Sequence, residues 1–289
     1  MKIAIMTDTN SGISIEEADN LGIFCLPMPV IIDEINYIED VNLTHDMFFK
    51  MLAEGRDAST SQPSPGDVLD MWNGILDKGY DQVVYIPMSS GLSGSATNAI
   101  GYADDYEGKV FVADNTRISV TLRQAVLDAK AMADEGMSGA EIKNTLEERA
   151  KDCIIYLAVD NLEHLKRTGR VNATAATVGS VLNIKPILKT DGGAFEVNTV
   201  VRGSKKVMAK MIDTIHEELR TTFKDVPVDE LSIGVAGSFV SREDTDNWFN
   251  SVKEEFSHMN VFYDDLSCSI STHTGPNAVG FGISRIYKK

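Results

Sequence analysis

An apolar run, Gln82 to Met88, leads into Ser89-Ser90-Gly91-Leu92-Ser93-Gly94-Ser95 and then into a helical pattern reaching about Tyr106. Strand, hydroxyl-rich loop and helix in that order turn the loop N–H groups and the positive end of a helix dipole toward one point, an arrangement that suits an anion. Glycines at 91 and 94 would let a ligand approach the backbone closely, and the serine hydroxyls add donors. An ordinary capped Ser/Gly loop would use the same residues. No Gly-Lys-Ser/Thr follows, so the segment is not a P-loop, and no GxGxxG occurs to hold a dinucleotide. Gly91-Leu92-Ser93-Gly94-Ser95 also approaches the G-x-S-x-G nucleophile elbow, with Ser95 in place of the last glycine. A serine esterase built on Ser93 would need a downstream acid and histidine, for which His273 is the loop histidine available.

Thr60-Ser61-Gln62-Pro63-Ser64 is a second hydroxyl cluster before a helix. Capping accounts for Ser64, with Pro65 at the first helical position and Asp67 at the third, but leaves Thr60 without a task, which favours a ligand contact there. Lys166-Arg167-Thr168-Gly169-Arg170 reads by default as a solvated basic run; an arginine held by a glycine turn can instead clamp a carboxylate or phosphate. In Ser271-Thr272-His273-Thr274-Gly275-Pro276, hydroxyls frame His273 and a Gly-Pro turn fixes its backbone, making it a candidate anion contact. Five histidines and 43 acidic residues show neither HExxH nor EF-hand spacing, so no metal is expected. Asp8 stands alone after the first strand and is expected to support the neighbouring loops.

The elements that must position these residues alternate between strand and helix patterns, which implies an α/β protein. Strands are expected at Lys2–Thr7, Ile23–Ile32, Gln82–Met88 and Lys109–Asp114, forming a mostly parallel sheet flanked by helices. From Ile154 the texture changes: Ile184–Thr190 and Phe195–Val201 flank Asp191-Gly192-Gly193, a hairpin signal that makes the second half a mixed sheet. The division falls at 155/156. Length allows two ordinary domains, and no apolar run is long enough to span a membrane. The chain opens straight into a strand pattern, which reads as a cytoplasmic protein without a signal peptide. A formal charge of −16 argues against nucleic-acid binding. Cys25, Cys153 and Cys268 form no CxxC pair and read as small core residues.

In this order the motifs resemble those of the DegV family of bacterial lipid-binding proteins: Thr7-Asp8-Thr9, Thr60 to Ser64, Ser89 to Ser95, Leu162 with Leu165 to Arg170, Leu182-Asn183-Ile184-Lys185-Pro186-Ile187-Leu188, Val201-Arg202 and His273 to Pro276. Ser95 stands where threonine is usual and Asn277 where glycine is common. The resemblance implies that residues 1–155 carry carboxylate-binding loops, with Thr60, Ser61, Ser93 and the N–H of Gly94 holding a long-chain fatty acid. Residues 156–289 would cover the acyl chain in a tunnel between the domains and bring Arg170 and His273 to the head group, where they assist phosphoryl transfer. The implied partner is an ATP-binding fatty acid kinase subunit that makes acyl-phosphate for phospholipid synthesis. The chain itself would be a lipid-binding protein with no cofactor, and transient contact with a membrane surface stays open. Besides the esterase, a carrier of another anionic amphiphile is the alternative.

Overall fold

The computed structural model describes residues 1–160, 162–172, 184–203 and 205–288. Strands numbered along the chain build three sheets. β1 (Ile3–Asp8), β2 (Phe24–Leu26), β6 (Gln82–Ile86) and β7 (Val110–Val112) form a parallel sheet in the order β2-β1-β6-β7. Its central strands are buried on both faces, as in a parallel sheet covered by helices. A six-stranded mixed sheet has the order β10-β9-β8-β13-β11-β12, from β8 (Cys153–Ala158), β9 (Ile184–Thr190), β10 (Glu196–Arg202), β11 (Leu231–Gly237), β12 (Asn260–Asp265) and β13 (Val279–Arg285). The expected hairpin is β9–β10, antiparallel. The chain is thus an α/β protein with a parallel sheet in its first half and a mixed sheet in its second. Position 155 lies within β8.

The third sheet was not expected. Ile23–Ile32 is two strands rather than one: Pro27 and Pro29 interrupt the run, and β3 (Pro29–Ile32) departs to pair antiparallel with β4 (Ile35–Ile38) and β5 (Ala58–Thr60). The β3–β4 turn is Asp33-Glu34 with φ of 48° and 66°, a left-handed pair formed here without glycine. Thr60 therefore ends an edge strand instead of opening a loop.

Helix Ser119–Asp134 joins the sheets. It packs on β1 on one side and on β8, β11, β12 and β13 on the other, and one core cluster runs from Ile5 through Val120 and Leu157 to Ala278. A second core, including Tyr156, Ile233, Trp248 and Phe281, fills the outer face of the mixed sheet. Thr44 caps helix His45–Ala53 and Ser138 caps helix Gly139–Glu148, as their positions before the apolar patterns imply. Ser64, Pro65 and Asp67 form a complete capping box on helix Pro65–Asp77. Cys25 and Cys268 are buried and Cys153 partly so, all three as free thiols. No helix among the described residues is long and apolar enough to cross a membrane. Leu182 and Asn183, part of the resemblance, lie outside the described residues.

Candidate functional site

The ends of three structural units meet over a cavity of about 240 Å³. The parallel sheet contributes the loop after β6, the small sheet contributes the end of β5, and the second half contributes helix Glu163–Thr168 and helix Cys268–Thr274. All six residues singled out from the sequence line this one cavity: Thr60, Ser61, Ser93, Gly94, Arg170 and His273. Between them lie Met28, Met88, Leu92, Ile118, Leu165, Phe195 and Ile270, which make the rest of the wall apolar. These side chains lie far apart along the chain and show only as periodic core positions in the sequence. Asn10 and Gln62 also line the cavity without having been assigned a role: Asn10 directly follows Thr7-Asp8-Thr9 and Gln62 lies inside Thr60 to Ser64, and that placement was the available signal.

Thr60 Oγ1 lies 2.9 Å from His273 Nε2. His273 is not a loop residue: it sits in the last turn of the short helix Cys268–Thr274, whose N-cap Ser267 accepts from the N–H of Ile270. Burial pushes the imidazole pKa down to about 4, and Arg170, Arg167 and His164 push it the same way. The ring is therefore neutral near pH 7 and carries one proton. With that proton on Nε2, Thr60 accepts from the ring and its own hydroxyl proton is free for a ligand oxygen. Gly275 follows at φ 74°, with His164 packed where its Cβ would stand. Asn277 has φ 58°, so its place in a glycine-favoured position rests on asparagine's tolerance of the left-handed region.

The loop after β6 is held from behind. Asp8 accepts from the N–H of Asn10 and of Met88, each at 3.0 Å, so it does brace the loop, and its complete burial pushes its pKa up to about 6. Gly91 faces protein, not ligand. A Cβ there would come within 2.5 Å of the Gly192 carbonyl oxygen, and Ser89 Oγ donates to that same oxygen at 2.5 Å. Hence Gly91 and Ser89 dock the loop onto the β9–β10 hairpin. Ser93 is left facing the cavity, with its Oγ accepting from the N–H of Ser95 at 3.2 Å. Gly94 is the N-cap of helix Ser95–Ala103 and supplies no side-chain cap, which leaves first-turn amides for an anionic group.

The second-half residues divide their tasks. Arg167 donates to the carboxylate of Asp57 and, through Nη2 at 3.0 Å, to the carbonyl of Ala58, on the strand that ends at Thr60. Arg170, beyond the left-handed Gly169 cap, lines the cavity and donates to the carbonyl of Thr168. Around Ser93 the described residues do not form the triad of a serine hydrolase. His273 pairs with Thr60 instead of Ser93, and its Nδ1 is buried with no hydrogen-bond partner where a triad would place a carboxylate. Among the described residues no group of His, Cys, Asp and Glu could hold a metal ion.

One pH effect follows from His273. An unfolded histidine takes up a proton near pH 6.5, whereas the folded ring resists protonation down to about pH 4. Its contribution to stability is present above pH 6.5 and is lost as pH falls toward 4. His273→Gln should therefore lose less Tm than the parent between pH 7 and pH 4.5. Parallel Tm curves for the two proteins would show that the ring is not held neutral.

Comparison with known proteins places this geometry. The family model described as "Uncharacterised protein, DegV family" matches residues 2–285. A DegV domain-containing protein of Caldanaerobacter subterraneus subsp. tengcongensis is 30% identical over 286 residues, covering 96% of this chain and 97% of that protein. Among solved structures, a fatty acid binding DegV family protein from Thermus thermophilus superposes with a TM-score of 0.86 at 26% identity, covering 99% of this chain and all of that one. DegV of Bacillus subtilis, a fatty acid binding protein, gives 0.85 at 26% identity over 99% of each chain.

Proposed function

Because the chain belongs to the DegV family, we propose that it binds one long-chain fatty acid in this cavity and presents the carboxylate to a separate ATP-binding kinase subunit. The observation that carries the reading is the make-up of the wall, in which an apolar lining ends in Thr60, Ser93, neutral His273 and Arg170. Solved relatives that share the fold over the whole chain, from Thermus thermophilus and Bacillus subtilis, are fatty acid binding proteins. In this reading Thr60 and Ser93 donate to the carboxylate, assisted by Ser61 and the N–H of Gly94. Hydroxyl and amide donors satisfy a buried carboxylate without a formal countercharge. A tail of about fifteen methylenes at roughly 0.8 kcal/mol each supplies on the order of 12 kcal/mol gross, part of it offset by the cost of association. The tail thus gives affinity and the hydroxyl end gives orientation. Drug-sized sites usually enclose about 300 Å³ or more, so the acyl chain has to displace wall residues, for which flexible Met28 and Met88 are suited.

Phosphorylation would follow when the partner brings ATP, giving acyl-phosphate for phospholipid synthesis. Arg170 would supply positive charge to the transferring phosphoryl group, and His273, whose single ring proton goes to Thr60, would assist through the hydroxyl it orients. Residues 1–155 hold the carboxylate and residues 156–289 close over the chain, in a cytoplasmic carrier that touches a membrane surface only in passing.

Native mass spectrometry of the purified protein before and after delipidation tests the binding half. A mass difference equal to a C14–C18 fatty acid is expected, and one that matches another amphiphile would replace this ligand assignment. For the transfer half, ATP, palmitate and the kinase subunit should yield hydroxylamine-trapped acyl-phosphate only when this chain is added; equal yield without it would refute presentation. A fluorophosphonate probe should leave Ser93 unlabelled, since no base activates it, and covalent labelling there would restore the esterase.

A further inference from the structure

The pair Thr60–His273 joins two elements that are weak on their own. Strand Ala58–Thr60 is three residues long and, among the described residues, pairs with β3 alone, so its end is free to fray. Helix Cys268–Thr274 has seven residues, too few to hold itself as a helix in water, and five of them are Ser, Thr or His. Two ionisable side chains that neither line the cavity nor touch each other grip these elements, and burial pushes the Glu39 carboxyl up to about 7. Arg167 spans the Asp57 carboxylate and the Ala58 carbonyl with two guanidinium nitrogens. Glu39 is 6% exposed; one oxygen accepts from the N–H of Cys268 at 2.5 Å and the other from Thr9 Oγ1 at 2.7 Å. Thr9 Oγ1 in turn accepts from the N–H of Met28, a cavity residue.

We propose that Arg167 and Glu39 are positioning residues for the head-group end of the cavity: Arg167 fixes the strand that presents Thr60, Glu39 fixes the helix that presents His273, and together they aim the Thr60 hydroxyl at the ligand carboxylate. The proposal rests on the fatty-acid reading for the identity of that ligand. Arg167 shares its short helix with the turn that leads to Arg170, so one element both clamps Thr60 and delivers a cavity cation. Arginine is required at 167 because its planar fork reaches a carboxylate and a carbonyl at once, which an ammonium on a flexible stem does not reproduce. At 39 the requirement is an acceptor for the first amide of the helix, which a glutamine oxygen also offers.

The test uses the full chain and two probes, palmitate and 1-hexadecanol, which has the tail without the carboxylate. Arg167→Ala should weaken palmitate about tenfold, the loss expected when neighbours in one hydrogen-bonded network are uncoupled, while hexadecanol changes less than about twofold. Arg167→Lys should not recover palmitate affinity. Glu39→Ala should lose it similarly and Glu39→Gln should keep most of it. In a Thr60→Ala background Arg167→Ala should add little. The ring ¹⁵N resonances of His273 should shift in ligand-free Arg167→Ala as the Thr60 bond loosens.

Arg167 is half exposed, so its variants fold even where Glu39→Ala does not, and Glu39→Gln keeps the second arm measurable. Unchanged palmitate affinity and unchanged His273 resonances in Arg167→Ala would overturn the proposal. Equal losses for both probes, or full additivity with Thr60→Ala, would do the same by marking general damage. If the parent protein binds no palmitate, the fatty-acid reading fails first, and the His273 resonances still decide whether Arg167 sets Thr60.

Discussion

Thr60→Ala with Ser93→Ala should lower palmitate affinity about hundredfold while leaving 1-hexadecanol bound nearly as before. Hydrogen bonds to a charged group contribute roughly 1.5–3 kcal/mol each, so two at the low end give about 3 kcal/mol, a little over a factor of a hundred. The apolar wall of Leu92, Ile118, Leu165 and Phe195 is untouched by either change, so binding should survive in weakened form. The two single changes should not be equal. Losing the Thr60 hydroxyl also strips His273 Nε2 of its 2.9 Å partner, leaving a half-buried ring with neither nitrogen bonded. Losing the Ser93 hydroxyl frees only the N–H of Ser95, at the start of a helix where a ligand or water can take it up. Thr60→Ala should therefore be the costlier of the pair. Isothermal titration with delipidated protein measures all three variants. A double variant that holds palmitate as the parent does would place the carboxylate somewhere other than between these hydroxyls.

Both hydroxyl loops could be found in the sequence because each sits where local rules are strict. Ser64-Pro65 with Asp67 must start a helix, so the hydroxyl left over at Thr60 stood out. Ser89 to Ser95 lies between an unmistakable strand and helix. What stayed hidden depends on contacts between distant residues. Gly91 has the composition of a ligand loop, yet its missing Cβ makes room for the Gly192 carbonyl, about a hundred residues away. His273 lies in a helix that its own composition disfavours; Ser267 caps it and Glu39, the residue after β4, holds its first amide. The small sheet is obscured in the sequence because Asp33-Glu34 makes a left-handed turn without glycine, and because the apolar run Ile23–Ile32 reads as one strand although Pro27 and Pro29 break it. Local pattern thus pointed to several of the polar groups that line the cavity, whereas its apolar wall and the supports that set their angles arise only from tertiary packing.

The same distinction governs stability at the junction of the two sheets, where the second large effect is expected. Val120 and Thr121, in the first turn of helix Ser119–Asp134, press on strands β11 and β13 at Gly234 and Gly282. A Cβ on Gly282 would stand 2.5 Å from Thr121 Cγ2 and 3.0 Å from Val120 Cγ2. β-Branched side chains in a helix have one or two χ1 positions, so neither methyl can turn away freely. Gly282→Ala should cost about 2–3 kcal/mol through overpacking, roughly 5–10 °C in Tm for a chain of this size. Adding Thr121→Ser should return about half of that or more, because it removes the offending methyl and keeps the 2.9 Å hydroxyl bond to the Ile118 carbonyl. Gly234→Ala should be worse and resist such rescue: its Cβ would lie 2.4 Å from Val120 Cβ itself, an atom that truncation to alanine retains. Relief would then require the helix to lift from the mixed sheet, and Ile118, its N-cap, would move with it out of the cavity wall. Thermal melts of the three variants read the stability ranking. Palmitate titration of Gly234→Ala should show the affinity loss that Gly282→Ala with Thr121→Ser avoids, and equal affinities would mean that the helix seat and the cavity are independent.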